Sequence, residues 1–117
     1  MEQDDAILAL GALAQSTRLD TFRLLVKSEP EGIPAGELAR SLGVPQNTLS
    51  AHLSTLARAG LVVGERHSRS IIYRANLETF RQLTLFMVQN CCGGRDHLCA
   101  PLLDGLRSPT KRKSRAG

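Results

Sequence analysis

The hydrophobic pattern predicts a run of short amphipathic helices in the first half of the chain. Residues 4–14 are rich in aliphatic side chains and predict the first helix. The second helix is expected to begin at Ser16, a residue type that commonly caps helices, and its apolar positions recur at i, i+3, i+6 and i+7. Those positions are Leu19, Phe22, Leu25 and Val26. Residues 28–34 contain two prolines and one glycine, which predicts a loop.

Two further helices joined by a tight turn follow this loop. The first covers Ala35–Leu42 and ends before Gly43, where a residue that tolerates positive φ is often needed. Pro45 then stands at the start of the next helix, where its missing N–H costs nothing. That helix runs to about Ala59, ends at Gly60, and carries an apolar stripe on one face. The stripe consists of Leu49, Leu53 and Leu56. Such a pair of helices is typical of a helix-turn-helix, whose second helix enters the major groove of DNA.

The outward face of the helix that follows Pro45 is polar near its start. With the leucine stripe in the core, the residues expected to face base edges are Gln46, Asn47, Ser50 and Ala51. Amide side chains can pair with adenine, a hydroxyl can pair with either purine, and an alanine methyl can touch the thymine methyl. His52 borders the apolar stripe, so it is interpreted as a core-edge histidine, with base contact as the alternative.

A β-hairpin is predicted directly after the helix pair. Leu61–Arg66 and Ser70–Ala75 are rich in Val, Ile and Tyr, and the polar turn His67-Ser68-Arg69 joins them. The basic residues of this hairpin are Arg66, His67, Arg69 and Arg74. This cluster suits contact with DNA phosphates or the minor groove, and Arg66 and Arg69 are its principal candidates.

The last predicted helix is apolar over more than one stripe. Asn76 is a good N-cap for it, and its apolar side chains recur as far as Asn90. The whole chain has 117 residues, which fits one domain, and its core must be mostly aliphatic because it holds only four aromatic residues and no Trp. A small aliphatic core has a thin stability margin. The excess apolar surface of the last helix therefore predicts pairing with a second copy.

Charge and hydropathy narrow the class of partner. The net charge of +4 suits a polyanion such as double-stranded DNA, although charge alone says nothing about the fold. The acidic start of the chain is unlike a secretory signal, and no stretch approaches the roughly 20 apolar residues that span a bilayer. We therefore expect a cytoplasmic protein without membrane contact, in which thiols stay reduced.

All three cysteines, Cys91, Cys92 and Cys99, lie within nine residues at the end of the last predicted helix. Thiolates prefer soft ions, and three sulfurs without an obvious fourth ligand favour trivalent arsenic or antimony as an effector. Zinc, cadmium or lead is the alternative, and a thiol redox switch is another. His97 could supply the fourth ligand of zinc, but it is interpreted as a solvent-exposed loop residue. A catalytic Cys99–His97 pair is not predicted, because no pocket-forming fold surrounds it.

The run LARSLGVPQNTLSAHLSTLARAGLVVGERHSRSIIYRA resembles the winged-helix core of the bacterial ArsR/SmtB family. The opening LGALAQSTRLDTFRLL is also similar to the first two helices of that family. The resemblance covers about residues 4–90 and implies a mainly α winged helix-turn-helix fold with a small β-hairpin. It further implies a homodimer through the first and last helices. Family members repress transcription in the apo form, and an inducing metal or metalloid ion releases the operator.

The chain departs from the best-known arsenic pattern of the family, a Cys-x-Cys pair on the helix before the recognition helix. Residues 37–42 contain no cysteine, and residues 77–90 lack the Asp and His of common zinc sensors. The cysteines instead resemble a subgroup of arsenic repressors with three C-terminal cysteines, which implies arsenite as the effector. The predicted organisation is a DNA-binding and dimerisation domain at 1–90, an effector segment at 91–106 and a basic disordered tail at 107–117.

Overall fold

A computed structural model of the protein describes residues 1–89. The helices are α1 (Gln3–Leu13), α2 (Ser16–Lys27), α3 (Ala35–Leu42), α4 (Gln46–Arg58) and α5 (Leu77–Gln89). The strands are β1 (Ile33–Pro34), β2 (Val62–His67) and β3 (Ser70–Ala75). The predicted mainly helical winged helix-turn-helix is confirmed, with one strand more than the predicted hairpin. Within the described part of the chain, no helix is long and apolar enough to cross a membrane.

The helix α1 turns its small side chains inward and its large ones outward. Ala6, Ala9 and Ala12 are buried, which lets the α1 backbone approach α2 and α4 closely. Ile7 is 58% exposed, and Leu8 and Leu10 are exposed as well. The first helix therefore buries its small side chains in the protomer and exposes several of its bulky aliphatic ones.

The start and the buried face of α2 differ from the prediction. Gln15, not Ser16, is the N-cap, and its Oε1 accepts a hydrogen bond from the Arg18 backbone N–H at 2.8 Å. The glutamine side chain reaches this donor, so Ser16 becomes the first helical residue. Phe22 and Leu25 are buried as expected, whereas the other two predicted core positions are exposed. Those two positions are Leu19 and Val26.

The core lies where α2, α3, α4 and the sheet meet, and leucine dominates it. Its largest fully buried side chains are Leu25, Leu38, Leu49, Leu56, Leu61, Val62 and Thr21. From the last helix, Leu83 packs into this core, and the Phe22 and Phe80 rings lie 5.5 Å apart between α2 and α5. Asn76 caps α5 as predicted, since its Oδ1 accepts from the Thr79 N–H at 3.3 Å.

The sheet is antiparallel with the strand order β1-β3-β2. The predicted loop over residues 28–34 is wrong at its end, because Ile33 pairs with Tyr73 and Pro34 with Ile72. Pro34 lacks a backbone N–H donor, and an edge strand tolerates this loss. Because prolines are also typical of loops, the sequence does not indicate this strand. Pro34 is also the N-cap of α3, so the sheet and the helix-turn-helix share a residue.

Candidate nucleic-acid interface

The turn between α3 and α4 sets the angle between these two helices. Gly43 has φ +68°, in the left-handed region that glycine adopts without strain. The N–H groups of Gly43 and Val44 donate to the carbonyls of Arg40 and Ala39, at 3.2 and 3.1 Å. These bonds satisfy the last carbonyls of α3, and the chain then enters α4 after Pro45. The predicted helix-turn-helix is thus present.

One face of α4 is anchored in the core and the other faces solvent. Leu49, Leu53 and Leu56 are buried, as the sequence predicted. The four predicted base-reading residues are exposed in the first half of α4. They are Gln46, Asn47, Ser50 and Ala51. Because the leucine stripe packs into the core, it fixes the rotation of α4 about its axis. The four polar-face side chains therefore lie on a surface that can contact a DNA groove.

The β2–β3 hairpin, called the wing from here on, extends beside α4. Arg66 and Arg69 are exposed at its end, and Ser68 in the connecting turn has φ +61°. His67 is also exposed and lies 3.5 Å from Glu65. Both predicted phosphate contacts are therefore accessible. Arg69 lines one cleft together with Gln46 of α4 and Ile71 of the wing, and Arg66 pairs with Ile71 across the hairpin.

Arg74 does not belong to this basic cluster. Its Nη2 and Nε donate to the two carboxylate oxygens of Glu29, at 2.7 and 3.3 Å, and this hydrogen-bonded ion pair raises the pKa of Arg74. The guanidinium thus ties β3 to the segment after α2. This pair could not be predicted from local sequence, because Glu29 and Arg74 are 45 positions apart.

His52 lies at the edge of the core, and its Nδ1 is 3.3 Å from Nη1 of Arg18. A guanidinium can only donate, so Nδ1 is the acceptor in this contact. The same Arg18 donates through Nε to the Ala12 carbonyl at 2.6 Å. The core-edge interpretation of His52 is therefore favoured, and the contact joins α1, α2 and α4.

Two clefts flank the start of α4. One, of about 470 Å³, lies between α3, α4 and the wing and includes Arg40, Gln46 and Arg69 in its lining. The other, of about 330 Å³, lies between α4 and the wing and includes Asn47 and Ser50. Both are open to solvent and polar in part, so they can admit the edges of a nucleic acid.

The predicted effector ligands Cys91, Cys92 and Cys99 lie outside the described residues, as does His97. The basic tail at 107–117 lies outside them too. Within residues 1–89, no group of three or more His, Cys, Asp or Glu side chains is placed to hold a metal ion. The described part of the chain ends at Gln89, two residues before the first cysteine.

Comparison with known proteins places this geometry in a family. Residues 13–65 match the family model described as a helix-turn-helix domain. The crystal structure of NolR from Sinorhizobium fredii is 32% identical, over 71% of this chain and 81% of that chain, with a TM-score of 0.59. The winged helix-turn-helix DNA-binding domain of Mb0332 from Mycobacterium bovis, described as homodimeric and as a possible ArsR-family regulator, is 26% identical. That alignment covers 83% of this chain and 84% of the domain, with a TM-score of 0.61.

The chain belongs to the ArsR/SmtB family. Another solved relative of this ArsR/SmtB protein is described as a possible transcriptional regulator for arsenical resistance. It is 26% identical over 80% of this chain and 94% of that chain, with a TM-score of 0.62. Among curated relatives, the regulator NmtR of Mycobacterium tuberculosis is 39% identical over 64 residues, which are 55% of this chain and 51% of NmtR. The chain thus matches about half the length of that relative.

Proposed function

We propose that this protein is a dimeric transcriptional repressor that binds operator DNA through α4 and the wing. The observation that carries the proposal is the exposed polar half of α4 beside the exposed Arg66 and Arg69. Side chains of α4 would read base edges, while the wing arginines would bind phosphates and fix the register. Family membership supports this assignment, since NmtR is a helix-turn-helix transcriptional regulator by name.

The dimer is proposed to form through α1 and α5. Ile7, Leu8 and Leu10 are exposed on α1, and Met87 is exposed near the end of α5. These two helices contact each other in the protomer, so their exposed apolar side chains belong to neighbouring surfaces. Burial of such side chains against a second copy is favourable by roughly 25 cal/mol per Å². The domain of Mb0332 is described as homodimeric, which supports a homodimer here.

A symmetric dimer matches the geometry of DNA. Two recognition helices about 34 Å apart, one helical turn, would face two half-sites of a palindromic operator. Gel shift on a library of duplexes, with recovery and sequencing of the bound fraction, tests this point. We expect a two-fold symmetric site, and an unpaired half-site bound by a monomer would contradict the dimeric mode.

We further propose trivalent arsenic, or antimony, as the effector, bound through Cys91, Cys92 and Cys99. Three thiolates can bind this ion and leave its lone pair in the fourth direction. The cysteines follow directly after α5, which is also a proposed dimer helix, so ion binding there can alter how the two protomers pack. A coupling of about 1–3 kcal/mol, or 5- to 150-fold in DNA affinity, is typical of such regulation. The relative connected with arsenical resistance supports this choice of ion.

Arsenite titration of a preformed protein–DNA complex tests the effector. We expect release of the operator, and a blunted response in Cys91→Ser, Cys92→Ser and Cys99→Ser with DNA binding intact. Retention of the operator at saturating arsenite would refute derepression by this ion. Parallel titrations with zinc, cadmium, lead and an oxidant separate the alternatives, since each alternative sensor would respond to its own agent and not to arsenite.

A further inference from the structure

The cleft between α3, α4 and the wing brings together cationic and amide donors from three elements. Arg40 comes from α3, Gln46 from the start of α4 and Arg69 from the wing, and all three line the same cavity of about 470 Å³. From the helical pattern alone, Gln46 is expected among the base-reading residues and Arg40 has no expected role. Because Arg40 and Gln46 line the same cleft, the expected roles of both residues change.

The position of Gly36 shows how closely two of these side chains converge. A methyl group on Gly36 would lie 3.2 Å from Nε2 of Gln46 and 3.7 Å from Nη1 of Arg40. The amide and guanidinium nitrogens are thus both within 4 Å of one point above the α3 backbone. Because Gly36 has no side chain, this space is open, and a bound ligand can contact both nitrogens.

The donors in this cleft have no protein partner within residues 1–89. The structure gives the side chains of Arg40, Gln46 and Arg69 no hydrogen bond or ion pair there, whereas the guanidinium groups of Arg18 and Arg74 have their partners inside the domain. A guanidinium and a primary amide are planar donors that match the oxygens of a phosphate. The one acidic side chain in the lining, Glu37, opposes an anion and so limits the affinity.

We propose that Arg40, Gln46 and Arg69 bind one phosphate of the DNA backbone beside the recognition helix. The inference rests on the proposed DNA-binding function and assigns a role to each side of α4. Gln46 lines both clefts and is assigned to the backbone, because its amide lies beside Arg40. Base reading is carried by Asn47, Ser50 and Ala51, of which Asn47 and Ser50 line only the neighbouring cleft. Arg40 is then a DNA contact supplied by α3, the helix that precedes the recognition helix.

The first test compares two variants of equal charge. Arg40→Gln and Arg23→Gln each remove one positive charge, but Arg23 lies in a separate groove between α2 and α5. The full-length chain is titrated with its operator and with a scrambled duplex between 50 and 200 mM salt. For a dimer with two Arg40 contacts we expect the slope of log K against log salt to become shallower by about 2, since each phosphate contributes about 0.9. Arg23→Gln should leave the slope unchanged.

One result would contradict the proposed contact between Arg40 and a phosphate. Equal slopes for Arg40→Gln and Arg23→Gln would overturn the phosphate site while leaving DNA binding itself intact. Absence of DNA binding by the wild-type protein would instead refute the proposed function and this inference with it. Glu37→Gln provides an independent check within the same cleft, because loss of the carboxylate should tighten binding to both duplexes.

The second test separates phosphate contact from base reading at Gln46. Gln46→Ala should weaken binding to operator and scrambled duplex by the same factor, with the ratio of the two affinities unchanged. Asn47→Ala is the control for a base reader and should lower that ratio, by about 5- to 150-fold for a bidentate contact. A fall in the ratio for Gln46→Ala would overturn its assignment to the backbone. Both residues are exposed, so circular dichroism should show unchanged folding.

Discussion

Gly32 offers the sharpest test of how the wing is attached to the helical body. The residue precedes β1 and has φ +79°. A methyl group there would lie 2.6 Å from the Tyr73 carbonyl oxygen, 2.7 Å from Cγ of Arg74 and 2.9 Å from Cγ2 of Ile72. All three neighbours belong to β3, the central strand, and one of the atoms is backbone. Gly32→Ala therefore cannot be accommodated by rotation of one flexible side chain.

The expected cost has two parts. A left-handed residue other than glycine costs roughly 1–2 kcal/mol, and overpacking against a fixed neighbour costs about 1–3 kcal/mol more. The free energy of unfolding should thus fall by about 2–5 kcal/mol. Gly43→Ala is the matched control, because Gly43 has φ +68° but no atom within 4 Å of the added methyl group. It should lose only the first part.

Urea unfolding followed by circular dichroism measures both variants, at one protein concentration because a dimer is stabilised by mass action. The reduced entropy of the unfolded chain is common to both alanines and cancels in the comparison. With a slope of about 2 kcal/mol per molar urea, the midpoint of Gly32→Ala should lie about 0.5–1.5 M below that of Gly43→Ala. Coincident midpoints would refute the close approach of Gly32 to β3.

Three further predictions concern the helices. Arg18→Met keeps the aliphatic stem but leaves a carbonyl and His52 without their donor, so the free energy of unfolding by urea should fall by about 1–3 kcal/mol. Arg81 hydrogen-bonds Glu78 and lowers its pKa from 4.5 to about 2, so this pair stabilises the fold above pH 4.5 and is lost as the pH falls through 2. Arg81→Gln should move that pKa, followed by NMR titration, back toward 4.5. Ile7→Ser should weaken the dimer at least about 10-fold in sedimentation equilibrium with unchanged circular dichroism, and an unaltered dimer would exclude this face.

The helix-turn-helix could be predicted because local rules and burial agree there. Leu49, Leu53 and Leu56 recur at helical spacing, and Gly43 falls where the backbone needs a positive φ. Each of these signals depends on residues only a few positions apart. The exposed polar face of α4 follows directly from the buried one, so the candidate DNA-reading residues could be named without coordinates.

Features that depend on distant residues could not be predicted. Ile33 becomes a strand only because Tyr73 pairs with it, and Arg74 leaves the basic cluster only because Glu29 is folded against it. The role of Arg40 likewise depends on the wing, which is distant in sequence but lines the same cleft. Nothing in the hydropathy of α1 indicates that its alanines face inward, since the periodicity of larger residues suggests the opposite.

The inward alanines of α1 separate two kinds of mutational change. Substitution at Ala6, Ala9 or Ala12 alters the distance between α1 and the rest of the core, so selection on folding acts at these positions. Substitution at Ile7 or Leu10 leaves that distance untouched, because both side chains are exposed. In the dimer proposed above, the identity of the pairing partner can therefore diverge after gene duplication while the fold is retained. Related regulators in one cell could in this way become insulated from mixed assembly through a few changes on a single helix face.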